Sequence, residues 1–278
     1  MKASSGSMPW PPAEAAPDVD LTRAFASCLP GGRIAGPLHA YRSLTSTQTV
    51  ARAWSSAGAP EGTVVLADHQ SAGRGRQGRR WTAPPGTALL LSLVLRPALP
   101  VARWPEIALA AGCAVAEGLE AVAPVSARLK WPNDVIVDGW KLAGILAEGV
   151  SSTAPQVVLG MGVNVSQLDA DWPADLAGRA RSLAGLGVAV ARDQLFAAIL
   201  GRLDAWYGVL HERGFEPVRE AWRRRGLLGQ PVPLGDGEGT SVDLGSGGEL
   251  VVRRADGRHA RLVASPEDHH GLAPARAS

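Results

Sequence analysis

AGRGRQGRRW, residues 72–81, sets four arginines and three glycines in ten positions, and its core at 73–78 spells GxGxxG. A dinucleotide-binding fold needs that spelling between a strand and a helix that starts at the last glycine. A strand signal stands before it at 63–67, but the residues after Gly78 read RRWTAPPG, and Pro84 with Pro85 forbids the helix. No Asp or Glu occurs between Arg80 and Glu106, where such a fold expects its ribose-binding carboxylate. The dinucleotide reading is excluded. A nucleic-acid reading treats the arginines as phosphate contacts in a flexible basic tail. Here they lie between two apolar strand-length runs, 63–67 and 88–95, which anchor them inside a fold. Two readings stay open on this stretch alone: a solvated surface loop, or a lid whose glycine N–H groups and guanidinium groups grip an anionic ligand.

The rest of the chain bounds the choice. With 278 residues, 46% hydrophobic and 19% charged, it has enough apolar material for one sizeable core and an appended small domain. The net charge of +2 is spread along the chain and asks for neither nucleic acid nor a membrane surface as partner. Cys28 and Cys113 have no CxxC spacing, which argues against a zinc ribbon or disulfide framework and fits a reducing cytoplasm. The apolar runs at 88–95 and 107–116 are too short to span a bilayer, and the N-terminus lacks the apolar stretch of a signal peptide. The expectation is a soluble cytoplasmic protein. Lysine occurs only at Lys2, Lys130 and Lys141, every other cationic side chain apart from histidine being arginine. Because an ammonium is a compact point charge and a guanidinium a planar fork, Lys130 and Lys141 become candidate functional residues.

The pattern along the chain predicts a Pro- and Ala-rich tail over 1–20, then helices at 21–29 and 47–57, the second capped by Ser46 or Thr45. Strands are expected at 38–42, 63–67, 88–95, 128–130, 134–137, 141–148 and 156–165, with a turn at Asp138-Gly139, and helices at 104–123, 192–212 and 217–225. After Gly226 short alternating segments punctuated by glycine suggest a small β-barrel. The fold class is therefore α+β, a mixed β-sheet flanked by helices over 21–225, with a small β-barrel domain over 226–278. His269 and His270, without a third ligand at metal spacing, read as solvated, and Arg223 to Arg225 as the exposed end of a helix. The tryptophans at 104, 140, 172, 206 and 222 read as core or interface.

Further ligand-handling motifs follow in order: STQ at 46–48, QSAGRGRQGRRW at 70–81, KWPND at 130–134, KLAGIL at 141–146 and GMGVN at 160–164. Taken together from about Leu44 to Val165, they resemble the biotin protein ligases. That resemblance implies a class II synthetase-like catalytic domain with an SH3-like C-terminal barrel. It also implies an activity: biotin and ATP give biotinyl-5′-AMP and pyrophosphate, and the biotinyl group then passes to a lysine of a carboxylase carrier domain. No enzyme nucleophile is required, since the carboxylate of biotin attacks the α-phosphate; the protein must align two anions and stabilise the charge developing on phosphorus.

The resemblance assigns roles by position. Ser46, Thr47, Gln48 and Gln70 line the biotin pocket. Arg74, Gly75 and Arg76 belong to the loop that closes over biotin and the adenylate, excluding water from a hydrolysable anhydride. Lys141 touches the reacting carboxylate and phosphate, and with Arg76 is the catalytic pair. Trp81 offers an aromatic face to the closed loop or adenine, or is a plain core residue. Lys130, Asn133 and Asn164 fall on the nucleotide side, with Lys130 otherwise pairing with a carboxylate. Asp134 either ligates Mg²⁺ or braces its hairpin. The implied cofactors are ATP, biotin and Mg²⁺, and the implied partner is the biotin carboxyl carrier protein domain of an acetyl-CoA or propionyl-CoA carboxylase, the enzyme being monomer or homodimer.

Two departures qualify the match. About 45 residues precede Ser46, too few for the winged helix of the repressor-type members, which points to a monofunctional ligase. Where relatives end in a GDVxHLR-like strand on the ATP side, this chain has ASPEDHHGL. Lipoate ligases share the fold in outline and are the nearest alternative, though GRGRxGRxW favours biotin. A basic, non-enzymatic nucleic-acid-binding module is the alternative from another class.

Overall fold

The computed structural model describes residues 15–150, 156–174 and 176–263, so the start of the tail, ASPEDHHGL and the pair His269 and His270 lie outside the described residues. The chain runs α1 (Val19–Ala26), β1 (Leu38–Tyr41), α2 (Thr47–Ser56), β2 (Val64–Ala67), β3 (Gly73–Arg74), β4 (Arg80–Trp81), β5 (Ala88–Leu95) and α3 (Pro105–Val122). It continues through β6 (Ala127–Lys130), β7 (Asp134–Val137), β8 (Trp140–Val150), β9 (Gln156–Asn164), α4 (Arg192–Arg213) and α5 (Glu216–Arg225). Four strands close it: β10 (Pro231–Leu234), β11 (Gly237–Leu244), β12 (Leu250–Arg254) and β13 (His259–Leu262). One expected boundary is corrected: α1 starts at Val19, inside the expected tail, and ends at Ala26. The Asp18 carboxylate accepts the Leu21 N–H and so caps the helix earlier than its apolar periodicity suggests.

Seven strands form one mixed sheet in the order β1-β2-β5-β9-β8-β7-β6. Only β1 and β2 run parallel; every other neighbouring pair is antiparallel. Because side chains alternate across a strand, β5 and β9 each serve two faces. Leu89, Leu91, Leu93 and Leu95, with Val157, Leu159, Met161 and Val163, join α3 and α4 in the main core. Each such fully buried side chain contributes about 1.5–3 kcal/mol. The opposite face carries α2, where Trp54, Val65, Ala67, Val94 and Val158 make a second cluster, and there the sheet stays partly open. This is the α+β, helix-flanked sheet that the sequence suggests.

Both edges of the sheet are covered. On β1, the Asp18 N–H donates to the Ala40 carbonyl and the Ala40 N–H to the Thr22 hydroxyl. On β6, the Ala127 N–H donates to Glu120 and the Leu227 N–H to the Leu129 carbonyl. Arg225, expected on an exposed helix end, is half-buried instead: its guanidinium reaches Glu120 at 2.6 Å, because the last turn of α5 packs on β6. Arg223 pairs with Asp243 at 2.7 Å, tying α5 to the C-terminal strands. Those strands form a four-stranded antiparallel sheet, β10-β11-β12-β13, around Leu250, Val252, Ala260 and Leu262. Among the tryptophans expected inside, Trp104 and Trp222 are buried, while Trp206 is half-buried and donates to Glu117.

The closest helix approach is at Gly118 in α3. A Cβ there would stand 2.7 Å from Ile199 Cγ1 and 2.9 Å from the Ile199 Cα of α4. Gly118→Ala therefore forces the two helices apart, although alanine is the better helix former. The expected outcome is a loss of about 1–3 kcal/mol in urea unfolding; an unchanged or raised midpoint would show that the crossing yields freely.

Candidate active site

The open face of the sheet is where the motif residues gather. Ser46 occupies the N-cap of α2 with extended backbone, yet its hydroxyl does not cap the helix, as expected of it; the buried Oγ has no hydrogen-bond partner among the described residues. The Thr47 N–H donates to Gln70 Oε1 at 2.7 Å, so that amide is satisfied from across the site.

From there a chain of buried polar groups runs under the site. The Thr47 hydroxyl reaches Gln70 Oε1 at 3.0 Å and Ser92 Oγ at 2.9 Å. Ser92 donates to Gln48 Oε1 at 2.9 Å, and Gln48 Nε2 donates to Glu148 Oε2 and the Val158 carbonyl, each at 3.0 Å. Arg74 completes the circuit by donating to Glu148 Oε1 at 2.9 Å. Gln70 and Arg74, four residues apart at the root of the arginine loop, are thus joined twice: by the chain itself and by a loop of hydrogen bonds through α2, β5 and β8. Glu148 is only 4% exposed, and a carboxylate so buried needs such partners.

The arginine loop is a small hairpin. β3 and β4 pair Gly73 with Trp81 and Arg74 with Arg80, and the Gly75 N–H donates to the Arg79 carbonyl. Its tip turns through two left-handed residues, Gln77 at φ 57° and Gly78 at φ 70°. At its far end the Trp81 indole lies directly on the sheet. Cβ atoms added at Gly162 and Gly144 would stand 2.6 Å and 3.0 Å from that ring, so only glycine permits the seat. Ala83, Ala88 and Leu90 complete the contact, and Trp81 is accordingly a packed floor residue whose indole N–H stays without a partner among the described residues.

Beside that ring stands Lys141. Its ammonium is 5.9 Å from the Trp81 ring centroid and 2.6 Å from Asp134 Oδ1. Asp134 therefore braces Lys141 across the β7–β8 hairpin. No group of three His, Cys, Asp or Glu side chains that could hold a metal occurs among the described residues. A lone carboxylate already engaged with an ammonium is a poor cage for Mg²⁺, though that ion is commonly carried by substrate phosphates with one or two carboxylates. Arg76 reaches Asn133 Oδ1 at 3.5 Å, and Asn133 is zipped to Ile145 by two bonds, Asn133 Nδ2 to the Ile145 carbonyl and the Ile145 N–H to the Asn133 carbonyl. With Trp131, Pro105 and Gly248 these residues line a cleft between α3 and the C-terminal sheet. Asn164 is buried on β9, donating to the Lys141 carbonyl at 3.4 Å. Lys130 stays exposed and makes no ion pair among the described residues, so its carboxylate-pairing alternative is not realised. The Cys113 thiol lies in the core across the sheet, where burial pushes it up to about 12, far from thiolate chemistry.

Sequence reasoning missed Ser92, Glu148 and the glycines under Trp81. The signal for the first two is a polar residue interrupting an apolar strand, ALLLSLVL and LAGILAEGV; for the last it is glycine recurring at every second position, GMG, which strips one face of β9.

A mixed sheet with α3 and α4 on one face, and α2 with an arginine-bearing hairpin on the other, defines the class: an α+β domain with a helix-flanked mixed sheet. The family model described as "Biotin/lipoate A/B protein ligase family" matches residues 40–164. The biotin--[acetyl-CoA-carboxylase] ligase of Paracoccus denitrificans is 35% identical over 205 residues, covering 70% of this chain and 85% of that one. The Mycobacterium tuberculosis protein of the same name is 44% identical over 166 residues, covering 58% and 59%. The bifunctional ligase/repressor BirA of Bacillus subtilis is 37% identical over 187 residues, and there this chain spans 58% of the relative's length. Among solved structures, the biotin protein ligase of Aquifex aeolicus in complex with biotin and ATP aligns with a TM-score of 0.73 at 28% identity, covering 85% of this chain and 98% of that one. The chain belongs to the biotin/lipoate A/B protein ligase family.

The buried pair makes a direct test. Arg74→Met removes the guanidinium hydrogen bond from the buried Glu148 carboxylate and is expected to lower unfolding stability by about 1–3 kcal/mol, while adding Glu148→Gln restores most of the loss. Purely additive effects in urea denaturation would disprove the coupling.

Proposed function

We propose that the protein is an ATP-dependent biotin protein ligase. The observation that carries this reading is the convergence of Lys141, Trp81 and the arginine-bearing hairpin on a sheet floor reduced to glycine at 144 and 162. The Trp81 indole fills the space those glycines leave and sets its ring beside Lys141, and the cations gathered around it suit two anions brought together. In the proposed reaction a carboxylate oxygen of biotin attacks the α-phosphorus of ATP and pyrophosphate leaves. The ε-amino group of a carrier lysine then attacks the acyl carbon of biotinyl-5′-AMP, releasing AMP. The family assignment and the names of the relatives support both the substrate and a carboxylase carrier domain as acceptor.

Within that scheme Lys141 faces the reacting carboxylate and α-phosphate, where an ammonium follows an oxygen whose geometry changes more readily than a planar fork does. Arg76 neutralises phosphate charge from the lid, and Asp134 keeps Lys141 in place until substrate arrives. Ser46, with its unpartnered buried hydroxyl, and the Thr47–Gln70 pair line the biotin end. Asn133 and Lys130 lie toward the nucleotide. Mg²⁺ would enter with the phosphates of ATP, held by them and at most by Asp134, and would offset their charge. The setting is a cytoplasmic enzyme.

The decisive measurement is pyrophosphate release with ATP, Mg²⁺ and either biotin or lipoate. Release with biotin alone is expected; release with lipoate alone would reassign the protein to the lipoate branch of its family, and release with neither would defeat the ligase reading. Lys141→Ala and Arg76→Ala should each slow biotin-dependent release at least tenfold, on the order of 1.4 kcal/mol or more. Biotin with ATP is also expected to suppress protease cleavage within residues 70–84, since a lid that closes over its ligand is withdrawn from attack. Cleavage at an unchanged rate would contradict the lid.

A further inference from the structure

Lys141 is held by more than its ion pair. Its own N–H donates to the Arg179 carbonyl at 3.0 Å, and the Arg181 N–H donates to its carbonyl at 3.2 Å, a parallel bridge that pins both flanking peptides. Asn164 Nδ2 adds a third bond to the same carbonyl. One residue before, the Arg181 guanidinium stacks on the Trp140 indole, 4.2 Å from the ring centroid. The segment that supplies these contacts is itself fixed from below by buried polar groups. Gln167, 1% exposed, donates from Nε2 to Asn164 Oδ1 at 2.8 Å; the fully buried Ser182 hydroxyl donates to the Gln167 carbonyl at 2.7 Å and accepts the Gly185 N–H. The Leu183 and Ala184 N–H groups donate to the carbonyls of Asn164 and Val165.

The hairpin of β7 and β8 turns at Asp138-Gly139, and its 140–142 end runs past the β9 ladder, which begins at Ala143, so that there only β7 pairs with it within the sheet. β7 and β8 also shift register between Val135 and Ile136, which loosens the ladder next to Lys141. The strap supplies the missing constraint. A displacement of about 1 Å at a reacting group costs on the order of a hundredfold in rate, so a device that fixes the Lys141 backbone acts on the chemistry without touching substrate.

We propose that residues 179–185, anchored through Asn164, Gln167 and Ser182 and clamped on Trp140 by Arg181, are a positioning strap for Lys141. The proposal rests on the reading of Lys141 as the group that meets the reacting oxygens. Asn164 is in consequence a positioning residue, its side chain committed to the Lys141 carbonyl and to Gln167.

The test is a double-mutant cycle on biotin-dependent pyrophosphate release, paired with amide hydrogen exchange. Asn164→Ala and Arg181→Ala are each expected to lower kcat at least tenfold with the KM for biotin within about threefold, and to lose that effect when introduced into Lys141→Ala. Trp140→Phe, which keeps a ring beneath Arg181, is expected to retain most of wild-type kcat. Equal losses in both backgrounds would overturn the proposal, because residues that bind substrate themselves, or that only support the fold, act whether or not Lys141 is present. Amide exchange reads the strap independently of activity: the Lys141 N–H should exchange at least tenfold faster in Arg181→Ala than in wild type, while amides of β5 and β9 keep their protection. Unchanged protection at Lys141 would refute the strap even if wild type released no pyrophosphate, whereas absence of release alone bears on the ligase reading.

Discussion

The buried carboxylate of Glu148 is the constraint on which the α2 face of the sheet depends. A charge removed from water at the middle of a sheet is tolerated only where other groups take over the hydrogen bonds of the lost solvent. Gln48 on α2 and Arg74 on the arginine hairpin do so here, each at about hydrogen-bond distance, with Arg52 3.9 Å away. The need is local, but its partners come from two distant parts of the chain, α2 and the arginine hairpin. Satisfying it therefore docks α2, holds the root of the arginine hairpin and fixes the rotamer of Gln48, from which Ser92, Thr47 and Gln70 follow in sequence. A weaker acceptor at 148 would leave those elements with less reason to meet.

Against that polar circuit stands an apolar platform made by omission. β9 sends Val157, Leu159, Met161 and Val163 toward α3 and α4, and on its opposite face Gly160 makes room for Gln48 just as Gly162 makes room for Trp81. The same strand thus supplies a dense core on one side and seats for Gln48 and Trp81 on the other. Period-two geometry permits this without conflict. Lys141 and Trp81 meet there, with an ammonium beside an aromatic face.

How much of this the sequence discloses depends on whether the cause is local. The helices and strands are legible because apolar periodicity and turn residues act within a few positions: ALLLSLVL becomes β5, and Asp138-Gly139 turns at positive φ between β7 and β8. Lys141 stands out because it survives among arginines. The start of α1 is misread because its cap, Asp18, lies in a stretch whose composition suggests a loose tail. Glu148 and Ser92 go unnoticed because their meaning lies in partners 74 to 100 residues and 44 to 45 residues away, and no spacing rule spans such gaps. Arg225 is misjudged for the same reason, since the Glu120 that draws it inward is contributed by α3.

The covering of both sheet edges carries a consequence for self-association. An open edge is a row of unused amide and carbonyl groups that invites another chain to add a strand, in a dimer or in an aggregate. Here the outward groups of Ala40 are taken up by the start of α1, and those of Ala127 and Leu129 by Glu120, Arg225 and Leu227. Once α1 and α5 have docked, the folded sheet offers no free ladder at those positions. A second copy that approached at those positions would have to dislodge these contacts first, so strand addition there is penalised.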